Sequence, residues 1–117
     1  MYFVLFVLHN FELIEEILNG WENAGVGGVT ILHSYGLGRI RRVGLADDLP
    51  LFPSLEQLLE NEENFSRTLF TIVDHLDKVK QLVQATQRVT GDLSRSDTGI
   101  LIVLPVAQVY GLNKQTN

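Results

Sequence analysis

The chain has 117 residues, 45% of them hydrophobic and 20% charged, which suffices for one folded domain with a real core and is too little for two. A formal net charge of -5 and a pI of about 5.0 argue against broad nucleic-acid binding. The absence of cysteine excludes disulfides, thiolate metal sites and cysteine nucleophiles together, and fits a cytoplasmic protein.

Tyr2–Leu8, Y-F-V-L-F-V-L, is a continuous apolar run of strand length, and its continuity predicts burial on both faces. It falls well short of the roughly 20 apolar residues of a membrane span. No basic stretch precedes it, so neither a span nor a signal peptide is expected. Asn10 offers an N-cap to a first helix. Phe11, Ile14, Ile17, Leu18 and Trp21 follow at helical spacing, with Glu12, Glu15, Glu16 and Glu22 mostly on the solvated side. Gly25, Gly27 and Gly28 end that helix.

The segment Gly28–Arg39, G-V-T-I-L-H-S-Y-G-L-G-R, reads as a strand running into a glycine-bracketed turn that ends on arginine. Val29, Ile31 and Tyr35 alternate with Thr30, Leu32 and Ser34. Gly36 and Gly38 permit positive φ, or the close approach of another group to bare backbone. Arg39, Arg41 and Arg42 set guanidinium forks beside those amides, the arrangement an anion such as phosphate needs. No helix follows directly, so neither the dinucleotide fingerprint nor the P-loop is met. A plain turn with solvated arginines is the competing reading.

Residues Ile40–Ser66 form a connection longer than compact domains ordinarily use, and such segments tend to carry function. Pro53 and the capping-box pattern Ser54-Leu55-Glu56-Gln57 predict a helix of about two turns from Leu55 to Glu62. Its Glu56, Glu60, Glu62 and Glu63 are acidic, suited to a basic partner or to the arginines of a neighbouring subunit. Leu49, Leu51 and Phe52 either fold back on the domain or dock elsewhere. Arg67–Asp74 is a third strand. Asp74 or Asp77 is expected to cap a second helix carrying Val79, Leu82, Val83, Thr86 and Val89, and Gly91 ends it. Asp92–Gly99 is a polar loop, Ile100–Leu104 a fourth and again continuously apolar strand, and Pro105 closes it. The tail Val106–Asn117 holds a candidate short strand at Val109–Leu112.

The order β-α-β-β-α-β is the ferredoxin-like pattern: an α+β fold with a four-stranded antiparallel sheet and both helices on one face. Two helices cover one face, yet the first and fourth strands are apolar on both. A homo-oligomer in which sheets pack together is therefore expected.

On these motifs the chain resembles the nitrogen-regulatory P-II family, and more closely a divergent P-II-like branch. His9–Leu18, H-N-F-E-L-I-E-E-I-L, is similar to the family's entry into its first helix, commonly K-P-F-K-L with acidic and apolar residues after it. Gly28–Arg39 resembles its second strand, G-x-T-V-T-x-V-x-G-F-G-R, and is the most specific of the matches. Val89–Leu93 with Ile102–Tyr110 resembles its closing T-G-K-I and I-F-V-L-P-V-E-E-V segments. Together they span most of the chain outside 40–66. The resemblance implies a single domain over 1–117 that assembles as a homotrimer and serves as a sensor, not an enzyme. It implies an adenine nucleotide (ATP, ADP or AMP) bound in clefts between subunits. It also implies that 40–66 is a T-loop-like insertion engaging a partner protein, either a membrane transporter or a metabolic enzyme. Carried over by residue, Thr30 would sit by the adenine, and Gly36, Leu37, Gly38 and Arg39 would line the cleft. Thr90, Gly91, Leu93 and Arg95 would belong to the phosphate-side loop. No nucleic acid and no insertion into a membrane are implied.

The departures have chemical consequences. Ile40 stands where the family commonly has a glutamine that helps hold magnesium and 2-oxoglutarate, and an apolar side chain cannot ligate a hard cation. The phosphate-side loop reads S-R-S-D-T-G in place of G-x-G-K, and Gly111-Leu112-Asn113 replaces a terminal R-I-R. Arg95 and Lys114 would restore part of the lost charge. No tyrosine lies in 40–66, so the family's modifiable residue is missing.

Other residues read more plainly. His9, His33 and His75 lack metal-ligand spacing and suit capping or interface roles. Asp92 and Asp97 are expected to satisfy their own loop ahead of acting as an acid pair. Trp21 belongs to the core stripe. Ser34 and Ser54 lack a nucleophile-elbow context. The alternative from another class is a ligand-free oligomeric adaptor or a CutA-like metal-tolerance protein, although a CutA-like chain would carry cysteine.

Overall fold

The computed structural model describes residues 1–36, 66–95 and 98–112. Four strands, β1 (Tyr2–Leu8), β2 (Thr30–Ser34), β3 (Ser66–Val73) and β4 (Gly99–Pro105), form one antiparallel sheet. Two helices, α1 (Ile14–Asn23) and α2 (Leu76–Thr90), pack on it. The strand order is β2-β3-β1-β4. Each β-α-β unit leaves a gap between its two strands, and a strand of the other unit fills it. This is the ferredoxin-like α+β arrangement that the element order predicts. The predicted helix Leu55–Glu62 and the rest of 40–65 lie outside the described residues.

Local chemistry accounts for the element ends. Asn10 caps as expected, its Oδ1 accepting from the Glu12 amide at 3.1 Å, but the first turn it opens is a 3-10 turn, Phe11–Leu13, that leads into α1. At the second helix the expectation of an aspartate cap is wrong. His75 occupies the N-cap with extended backbone and makes no side-chain cap bond. Asp77 sits in the first turn, where it favours the positive end of the helix dipole, and Asp74 pairs with Lys78 at 3.8 Å. Gly91 ends α2 at φ 86, as predicted. Residues 109–112 form no strand. The chain leaves the sheet after the Val106 amide bonds the Met1 carbonyl, because β4 is an edge strand and its one neighbour, β1, ends there.

The core lies between the helices and one face of the sheet. Val4, Phe6 and Leu8 of β1 meet Leu69 and Val73 of β3, Ile17 and Trp21 of α1, and Val79 and Leu82 of α2. Trp21 is fully buried, with its ring 6.4 Å from that of Phe6. Its indole Nε1 donates to the Thr86 hydroxyl at 2.8 Å, and that hydroxyl donates to the Leu82 carbonyl at 2.8 Å. A single threonine thus satisfies the one polar atom of the largest core residue and ties α1 to α2. The helices meet at Gly20 and Ala85, where a Cβ added at Gly20 would lie 3.6 Å from that of Ala85, an ordinary van der Waals contact.

The opposite face of the sheet is largely apolar, exposed at Leu32 and along β4, half-buried along β1, and carries the buried Ser66 and Thr68 at one end of β3. Register places Phe3, Leu5 and Val7 of β1 beside Phe70 and Ile72 of β3, Leu32 of β2, and Ile100, Ile102 and Leu104 of β4. Ile100 is 54% exposed, Leu104 51% and Leu32 50%. The continuous apolar character of β1 and β4 therefore does not signal burial on both faces within one protomer. It divides into a covered face and one that is half-buried along β1 and exposed along β4.

Two substitutions test this packing. Thr86→Val, nearly isosteric, strands the Trp21 indole N–H in the core and should lower stability by about 1–3 kcal/mol in a urea titration. Gly99→Ala should cost more, about 2–4 kcal/mol. The glycine sits at φ 141, and a Cβ would lie 2.6 Å from the Val7 carbonyl oxygen and 2.7 Å from the Phe6 ring.

Candidate functional site

The residues singled out by sequence fall into two groups that one protomer keeps apart. Thr30 opens β2, is exposed, and lies opposite Phe70, which puts it on the face away from the helices. Gly36 is exposed just beyond β2. Leu37, Gly38, Arg39 and Lys114 lie outside the described residues. Thr90, Gly91, Leu93 and Arg95 belong to the connection from α2 into β4. Since β2 and β4 are opposite edges of the sheet, three strand spacings, roughly 14 Å, separate them. A ligand touching Thr30 and the 90–95 connection of one protomer would have to span the width of the sheet.

The 90–95 connection is occupied with its own hydrogen bonds. The Asp92 carboxylate accepts from the Ser94 amide at 2.9 Å and from the Ser94 hydroxyl at 2.8 Å, the Asx turn expected of it. Asp97, its suggested partner, lies outside the described residues. Those Ser94 bonds, helped by the nearby Arg95 charge, hold the Asp92 carboxyl below its ordinary value of 3.8. Thr98 closes the turn by donating to the Arg95 carbonyl at 2.9 Å. Thr90 donates to the carbonyls of Thr86 and Gly91 at 3.2 and 2.9 Å. Gly91 meets a conformational need of the helix end, since nothing lies within 4 Å of where its Cβ would be. Leu93 packs against the core. Arg95 is left as the exposed cation of this loop.

The face toward the helices holds a polar corner that the sequence reading passes over. Arg67 lies opposite Leu8 on one side and His33 on the other. Its parity is that of Leu69 and Val73, so it points toward the helices. The guanidinium carbon lies 5.4 Å from the centroid of the Phe11 ring, a cation–π contact. Nη1 of Arg67 is sealed from solvent and has no hydrogen-bond partner. The signal that finds this residue is parity, an arginine at an inward position of a strand, and a linear scan for motifs does not use it.

Elsewhere an open groove of about 510 Å³ runs between α1 and α2, with Asn19, Asn23, Gln81 and Gln84 along it. Among the described residues no group of three or more His, Asp or Glu side chains is placed to hold a metal ion. Nor is any helix there long and apolar enough to cross a membrane. No protein-family model matches the chain, and no curated protein matches it.

The bonding of Asp92 predicts its titration. As pH falls through the lowered carboxyl value the Ser94 bonds are lost, so the contribution they make is present above the ordinary carboxylate range and disappears in acid. Carbon-detected NMR should show Asp92 titrating below 3.8, and Ser94→Ala should return it toward that value.

Proposed function

We propose that this chain is a P-II-like signalling protein of the cytoplasm, a homotrimeric sensor and not an enzyme. It binds an adenine nucleotide or another small anionic ligand in clefts between subunits and regulates a partner protein, a transporter or a metabolic enzyme, through residues 40–66. The observation that carries this reading is the sheet face away from the helices, apolar from Leu32 through Phe70 and Leu5 to Ile102. Exposed apolar surface of that kind is costly in water and calls for a partner surface. The separation of Thr30 from the 90–95 connection within one protomer supports clefts between subunits, in which the two groups would come from different copies. The motif Gly28–Arg39 supplies the chemistry: backbone amides and a guanidinium for an anion.

The second reading, a ligand-free oligomeric adaptor, is favoured by one observation. In the 90–95 connection a carboxylate takes the Ser94 donors that a phosphate would use.

Light scattering should give a mass near three times 13.2 kDa, and Ile102→Glu should reduce it to that of a monomer. Calorimetry on the assembled protein should show one of ATP, ADP or AMP binding below the millimolar range, weakened about tenfold or more by Arg39→Ala. An intact trimer that binds none of them points to the adaptor. A wild-type monomer at micromolar concentration overturns both readings.

A further inference from the structure

We infer that the corner formed by Arg67, Phe11 and His33 is a binding site for a small oxyanion, a phosphate or carboxylate group. It lies on the helix side of the sheet, and Thr30 lies on the other side, so this inference does not rest on the nucleotide reading.

The guanidinium carries the argument. Arginine keeps its charge at any pH a protein tolerates, so the cost of sealing part of it from water cannot be relieved by losing a proton. A buried donor without an acceptor is destabilising, and more so on a charged group. Nη1 of Arg67 is in that position. Neither ion pair among the described residues involves it. The side chain is nevertheless held in place. Its stem rises from the second residue of β3, whose backbone is paired between Leu8 and His33, and its flat cation lies over the Phe11 ring. A donor that is fixed, charged and unpaired meets the requirements for recognising an oxyanion, since its ordering cost is met before the ligand arrives. His33, directly across from Arg67, adds a polar neighbour at the mouth of the corner, where β2 is exposed. The ligand must be compact, because Phe11 closes one side of the guanidinium.

The test uses the full chain, titrated with inorganic phosphate and, separately, with succinate, chloride being exchanged to hold ionic strength constant. The Arg67 Nε–H resonance should shift saturably with one of the two probes, and the probe that works separates a phosphoryl from a carboxylate ligand. Arg67→Met, which keeps the stem over Phe11 and removes the charge, should weaken that binding by about tenfold or more. Arg67→Lys should retain part of it, and Lys80→Gln, on the exposed side of α2, should leave it unchanged. Equal affinity in Arg67→Met overturns the site. So does a wild-type Arg67 resonance that neither probe moves, and this readout stands even where the methionine variant does not fold.

Discussion

Two helices can cover only one face of a four-stranded sheet, and the rest of this structure follows from how the chain uses that limit. The covered face holds Phe6, Trp21, Leu69 and Leu82, and the Trp21–Thr86 bond keeps the helix pair in one arrangement over it. The opposite face is largely apolar and is most exposed at Leu32 and along β4. Burial of each large apolar side chain is worth about 1.5–3 kcal/mol, so a face carrying Ile100, Ile102, Leu104 and Leu32 represents a substantial unused driving force. A partner surface would stabilise such a face in water, and the proposed trimer is one arrangement that would supply it.

The same topology governs the site. Filling each split β-α-β unit with a strand of the other sends β2 and β4 to opposite edges. Thr30 on β2 and the polar connection before β4 therefore stand at opposite edges of one protomer. The self-bonded turn at Asp92 sets a condition on any anion bound there. It must compete with a carboxylate whose bonds to Ser94 are already made, and Arg95 is the cation the loop offers it.

Arg67 shows a different balance within the same sheet. It is the one charged residue of β3, and it shares its face with Leu69, Thr71 and Val73. Such a residue persists where packing supports its stem and a partner answers its charge. Phe11 supplies the first, and the unpaired Nη1 leaves the second to a ligand.

Most of the fold was legible in the linear chain because its elements obey local rules. Continuous or alternating apolar runs marked the strands, a 3.6-residue stripe marked the helices, and glycine ended α2 where left-handed backbone was needed. Those patterns also determined that the chain has more apolar sheet surface than its helices can cover. The element ends were less legible, since His75 holds the N-cap without a side-chain bond and residues 109–112 have no strand to pair with. Tertiary structure alone decided which residues meet: Thr30 with Phe70, Arg67 with His33, Trp21 with Thr86. These contacts join residues distant in the chain, and neighbours across a sheet are set by strand pairing and register, which no local periodicity encodes.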